Sequence, residues 1–335
     1  NTDAEIWEYT TGVFYGKSNS NTLNLNNVAP GVPGFSQVNA RILSETFGAF
    51  LDNKWYVTED TTVGLGARWS KNRSNNTSDI DYSQISFLLP SGAPLTASLI
   101  PAGEEIQTGI AWTGGLKLTH QLNEEVMVYG SFDRSYRPPG ITITPSPVNP
   151  ADLAFDEETS NAIEIGFKST LDNGRYQING AIFQQNFKNY TSRSNNVSYY
   201  NGASGPIGVH NSNVQGGITY NGDAVIQGAE IDINGVLTEN WTAYFAASYT
   251  DAKFDGAERP IRNFTTPAAP GQLLYASSDG RIGPEPNWSL SASSEYTVPM
   301  GEIEGFVRGL YKFTDNRADD GSNTNIGGFG LFDLF

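Results

Sequence analysis

Few residues in this chain are equipped for chemistry, and they are scattered. Among 335 residues there is no cysteine, and the only histidines are His120 and His210. That excludes thiol chemistry, disulfides and Cys-based metal sites, and leaves little for a His-ligated metal or a His general base. The carboxylates that stand out are Glu164, Glu230 and Asp232. Paired carboxylates of this kind serve glycosidases. Here each occupies the polar side of an alternating run, so the expectation is a hydrogen-bonding role toward basic residues such as Arg68, Lys117, Lys168 and Arg308, with no catalysis, cofactor or metal. A second group lies where patterned runs meet long loops: Arg137 beside Tyr136, Tyr199 with Tyr200, and the loop residue His210. Aromatic faces and a guanidinium in such places suit contacts to a bound small molecule, the guanidinium holding negative charge. His210 could touch iron or haem, although a lone loop histidine is more often simply solvated.

The elements that carry these residues show a period of two. Val63, Leu65, Ala67 and Trp69 alternate with Gly64, Gly66, Arg68 and Ser70. Ile163, Ile165 and Phe167 alternate with Glu164, Gly166 and Lys168, and Ala229, Ile231 and Ile233 with Glu230, Asp232 and Asn234. Such runs are strands with one apolar and one polar face. Their connections alternate too. Tight polar turns fall near Glu59, Asn123, Asn173, Glu239 and Pro299. Long Gly/Ser/Asn/Pro segments fall near residues 19–40, 72–107, 137–157, 192–215, 255–286 and 315–326. Hairpins that are tight at one end and open at the other are the signature of an outer-membrane β-barrel.

Strands are expected over about twelve spans, residues 4–18, 42–57, 61–71, 108–121, 125–136, 158–170, 175–191, 216–236, 241–254, 287–298, 302–314 and 327–335. Many reach the ~9–11 residues that cross a bilayer at a tilt. A soluble sandwich or propeller would need shorter strands, and a propeller its own ~40-residue repeat. Charged residues make up 17% and aromatic residues 12% of the chain, with 36 glycines. Charge is thus below the ~25% of soluble domains. Acids outnumber bases 36 to 20, which argues against a nucleic-acid partner. No window approaches the ~18 apolar residues of a membrane helix. In a barrel, Tyr136 fits the aromatic girdle better than a ligand site, while both readings stand for Tyr199 and Tyr200. Trp55, Trp241 and Trp288 are expected in the periplasmic girdle.

Three stretches carry a family resemblance. Val128-Tyr129-Gly130-Ser131-Phe132-Asp133-Arg134-Ser135-Tyr136-Arg137-Pro138-Pro139-Gly140 resembles the "Y-x-S-x-S-x-G-F-R-P-G-G" strand of TonB-dependent receptors, with Arg134, Ser135 and Pro139 departing from it. Phe155-Asp156-Glu157-Glu158 through Ala162-Ile163-Glu164-Ile165-Gly166-Phe167-Lys168-Ser169 to Gly180-Ala181-Ile182-Phe183 is similar to the family's next hairpin. Ala224-Val225-Ile226-Gln227-Gly228-Ala229-Glu230-Ile231-Asp232 resembles "A-x-I-x-G-V-E-L-E". Order and spacing match over residues 110–255.

The resemblance implies a 22-stranded barrel closed inside by a plug domain carrying a TonB box. Residues 1–335 would then be barrel domain throughout, an antiparallel partial barrel cut at both ends, lacking about eight strands before it and about two after. An open, strongly curved sheet is expected, with unpaired edges near Trp7 and Tyr9 and near Phe329 to Phe335. The resemblance further implies energy-coupled import across the outer membrane of a Gram-negative bacterium. Its partners would be TonB, outer-membrane lipid and lipopolysaccharide, and a small-molecule substrate such as a ferric siderophore. The rivals are a passive porin and a secreted β-rich adhesin or carbohydrate-binding protein.

Overall fold

The alternation becomes a pleat that runs unbroken across one large sheet. The computed structural model describes all residues except 1–5, 28–33, 90, 145, 147, 196, 201–210, 215, 262–270, 279, 284, 302 and 319–324, so His210 lies outside the described residues. The sheet contains β1 (Trp7–Asn27), β2 (Phe35–Tyr56), β3 (Thr61–Asp81), β4 (Ile106–Asn123), β5 (Val126–Arg137) and β6 (Glu158–Leu171). It continues through β7 (Tyr176–Ser194), β8 (Ile218–Thr238), β9 (Trp241–Phe254), β10 (Trp288–Met300), β11 (Ile303–Thr314) and β12 (Phe329–Leu334). These twelve strands pair antiparallel in chain order, and Thr96–Ser98 adds a short segment against the top of β3. Among the described residues β1 pairs only with β2 and β12 only with β11. The sheet is therefore open, a partial barrel.

Turn chemistry follows the sequence closely. Between β6 and β7, Asp172, Asn173 and Gly174 adopt φ of 52°, 54° and 87°, the left-handed region that Asp, Asn and Gly tolerate best. The first three strands depart from expectation by running far into segments read as loops, to Asn27, from Phe35 and to Asp81. Those stretches are rich in Asn and Ser, with too little apolar contrast to show a period. Pairing with neighbours on both sides holds them extended, tertiary context overriding weak propensity. A strand of 21 residues is about 70 Å long, well beyond what a tilted membrane crossing needs.

Registers place opposing residues on a common face. Gly64 stands opposite Lys117, Lys117 opposite Ser131, Ser131 opposite Glu164, Glu164 opposite Phe183, and Phe183 opposite Gly228. The other face carries Leu65, Leu116, Phe132, Ile163 and Ile231, and there large side chains stay open: Trp112 is 67% and Ile182 60% exposed. An apolar surface spanning this many strands far exceeds what a soluble protein leaves uncovered. The packed core lies elsewhere, among the long connections. Val148, Leu153, Val197, Val214, Ile218 and Leu273 form one buried cluster there. Tyr220, Ala224, Ala252, Phe254, Ala257 and Ile282 form a second at the tops of β8 and β9.

Candidate functional site: the polar face and the loop layer

All seven basic and acidic residues singled out for the polar surface fall on the same face of the sheet. Arg68 of β3 aligns with Thr113 and so with Lys117 of β4. Lys168 and Glu164 of β6 align through Asn179 and Phe183 with Asp232 and Gly228 of β8, beside Glu230. Glu230 lies opposite Ser248, and two strands further Glu295 lies opposite Arg308. No helix or loop is needed to assemble them, because a strict period of two carries one face across every ladder.

The bonds they make differ from simple charge pairing. Glu164 accepts a hydrogen bond from the Tyr129 hydroxyl at 2.7 Å, and the Lys117 ammonium lies 5.0 Å above the Tyr129 ring. Asp232 accepts from the Asn179 amide at 2.9 Å. Arg308 pairs with Glu295, a carboxylate that sequence reasoning had not singled out. Arg68 stacks over Phe14 at 4.2 Å. Tyr129, Lys168, Asn179, Glu230 and Asp232 line a polar recess of about 210 Å³. The missed partners Tyr129, Asn179 and Glu295 share the polar register of their strands, a signal present in the sequence once pairing is known.

Glycines make room for the rings on this face. Gly166 faces Tyr129, whose ring would stand 2.6 Å from a β-carbon there. Gly228 faces Phe183 in the same way. Rings thus lie flat across the neighbouring strand and leave the polar surface low.

A larger polar recess of about 540 Å³ opens where β4 and β5 part, since their pairing stops at Gly114 and Arg134. Arg68, Ser70, Asn72, Thr113 and Asp133 supply its lining on the polar face, with Tyr136 and Pro138 at its top. Arg137 ends β5 opposite Glu158, exposed and on the polar side. The Tyr136 side chain reaches back against Gly109 of β4, where a β-carbon would collide with its hydroxyl.

Tyr199 and Tyr200 lie well beyond the rim, in a ribbon paired with Asn211–Asn213. Tyr199 packs against the apolar cluster around Leu273 and forms a bridge to Leu273 itself. The described part of the contact group therefore does not converge: Arg137 sits at the rim, the tyrosines in the loop layer. Trp288 corrects another expectation. It opens β10 opposite Tyr249, after the long connection, so it belongs to the loop end and not to the girdle beside the short turns. Trp55 and Trp241 do flank short turns.

Backbone bonds knit the three long connections together. The Asn149 N–H donates to Gly271 O at 2.7 Å, Gly271 N–H to Tyr200 O at 2.8 Å, and Ser198 N–H to Ile261 O at 3.3 Å. The Tyr275 hydroxyl donates to Asp152 at 2.7 Å, and burial together with that bond pushes it well above its ordinary pKa. Among the described residues no group of His, Cys, Asp and Glu is arranged to hold a metal ion.

A sequence profile of the TonB-dependent receptor-like β-barrel family matches residues 1–335. Solved structures share the fold. The ferric yersiniabactin uptake receptor FyuA from Yersinia pestis aligns with a TM-score of 0.69 at 16% identity, over 99% of this chain and 44% of its own. The ferric-catecholate import receptor Fiu from K12 E. coli gives 0.67 at 17%, over 98% and 45%. The copper transporter OprC gives 0.64 at 15%, over 98% and 46%. The chain spans less than half the length of these structures. No curated protein sequence matches it.

Proposed function

Because the chain belongs to the TonB-dependent receptor β-barrel family, we propose that it forms part of the wall of a receptor that imports a ferric siderophore with energy supplied through TonB. Its place is the outer membrane of a Gram-negative bacterium. The observation that carries the proposal is the match over the whole chain to a barrel family, joined to a sheet with one continuous polar face and one exposed apolar face. In a barrel the apolar face meets lipid and the polar face lines the interior. In the proposal these twelve strands belong to a 22-stranded barrel with a plug inside, and the apolar face meets outer-membrane lipid and lipopolysaccharide.

Siderophore is favoured as substrate because two of the structural relatives described above are named as iron receptors. The polar face offers a surface of amides, hydroxyls and paired charges along which a hydrated, polar cargo can exchange hydrogen bonds. The loop layer stands above it as the first surface such a cargo meets.

The test expresses the full-length gene in a host stripped of its own ferric-siderophore receptors, and follows radioactive iron uptake with TonB present or deleted. Uptake that requires TonB is the expected result. Uptake indifferent to TonB would replace the proposal with a passive pore. Copper uptake in place of iron, in keeping with the OprC likeness, would retain the transporter and overturn its substrate.

A further inference from the structure

At three places on the polar face a ring lies over a glycine: Phe14 over Gly48, Tyr129 over Gly166 and Phe183 over Gly228. Gly115 of β4 breaks that pattern. The Asp133 carboxylate stands over it, and its partner across the ladder is another glycine, Gly66. The recess of about 540 Å³ where β4 and β5 part therefore has a low floor. Asp133 borders it on one side and Arg68 on the other. The two charges are held apart, because the Arg68 guanidinium stacks over Phe14 of β1, on the side away from β5. Between them stand Ser70, Asn72 and Thr113, whose hydroxyls and amide both donate and accept hydrogen bonds.

This pattern selects among ligands by charge and by length. A plain anion would meet Asp133, and a plain cation would meet Arg68 and Arg134. A neutral guest would strip water from both charges and return nothing. A guest carrying both signs satisfies both. The strands that bear Arg68 and Asp133 lie two spacings apart, ~10 Å. The ammonium and carboxylate of a single amino acid are too close together to reach both, whereas an extended chain of about three residues spans that distance.

We infer that this recess binds a zwitterionic peptide unit about three residues long. Its carboxylate takes the Arg68 guanidinium, whose planar fork matches it, and its ammonium takes the Asp133 carboxylate. Its peptide groups exchange hydrogen bonds with Ser70, Asn72 and Thr113 over a glycine floor that lets a backbone come close. The inference rests on the reading that the polar face lines the barrel interior, and it gives the cargo of that reading a peptide part.

The test titrates the full-length protein in detergent with tri-alanine, read by calorimetry. Wild-type protein binds tri-alanine. Capping either end, as N-acetyl-tri-alanine or tri-alanine amide, weakens binding roughly tenfold or more, the loss of one charge-assisted contact, and free alanine binds as poorly. Arg68→Gln weakens tri-alanine to the same degree but adds little to the loss already seen with the amide. Asp133→Asn does the same for the acetylated peptide, and Arg68→Lys recovers part of the affinity. Heat-modifiable electrophoresis verifies that each variant folds. No binding by wild-type protein, equal binding of capped peptides or of alanine, or losses in the variants that ignore which end is capped would overturn the site. Iron uptake by wild-type protein is read separately. TonB-dependent uptake without peptide binding sinks this site alone, and peptide binding without iron uptake sinks the iron substrate alone.

Discussion

Two neighbours on one strand, Ile231 and Asp232, test which face is which. Ile231 sits on the apolar face, opposite Gly180 and Ala247, while Asp232 lies on the polar face and accepts from Asn179. Ile231→Arg places a charge against lipid and is expected to cost about 2–4 kcal/mol near the midplane, measured by urea unfolding of the full-length protein in lipid vesicles. Asp232→Asn keeps an acceptor for Asn179 and leaves the midpoint nearly unchanged. Equal damage from the two substitutions, or none from either, would count against this assignment of faces. The glycines offer a second contrast. A β-carbon on Gly228 would collide with the Tyr249 carbonyl and crowd Phe183, whereas one on Gly16 meets nothing within 4 Å. Gly228→Ala is therefore expected to cost about 1–3 kcal/mol and Gly16→Ala close to nothing, by the same assay.

Among elements, the long connections behave as one packed layer. Leu273, from the connection after β9, is 1% exposed and shares its cluster with Val148, from the connection after β5, and with Val197 and Val214, from the connection after β7. Leu273→Ala is expected to cost about 2–5 kcal/mol within this layer. Hydrogen exchange should then speed up across residues 138–157 as well as around the substitution, while the strands below keep their protection. Acceleration limited to the mutated connection would show that the three connections fold independently. The bulge at the top of β7 is a smaller device. Asn189 takes φ of 55° between Phe187 and Tyr190, and Asp223 holds it by accepting from the Asn189 N–H at 3.0 Å and the Lys188 ammonium at 2.6 Å. Asn189→Gly should be tolerated there, and Asn189→Val should cost about 1–2 kcal/mol for a β-branched residue held left-handed.

At the scale of the whole molecule the sheet has, among the described residues, two unpaired edges. β1 presents 21 residues and β12 presents six with ladder groups unmatched on one side. Such edges recruit other strands, and in lipid an unmatched N–H or C=O is costly. The 335-residue chain prepared alone in detergent is expected to associate through these edges and to transport nothing, as light scattering and uptake in vesicles would register. A monodisperse, conducting monomer would instead mean that β1 and β12 close on each other.

Local chemistry along the chain was enough to determine much of this. The period of two in stretches such as Ala229 to Asn234 sets which side chains share a face whatever the partner strand, and the alternation of tight and long connections sets the hairpin polarity. Strand spans from β4 onward were legible for the same reason, whereas the open order of the sheet was expected only from the family resemblance. Pairing partners were not. Glu164 bonding to Tyr129, Arg308 to Glu295 and Arg68 stacking on Phe14 depend on register between strands, which no single strand encodes. The upper halves of β1, β2 and β3 are extended because neighbours satisfy their backbone, not because Asn-rich sequence prefers it. The loop layer was the least legible part. Val148, Val197 and Leu273 are isolated apolar residues in polar segments, and only the folding of three connections onto one another brings them out of water together.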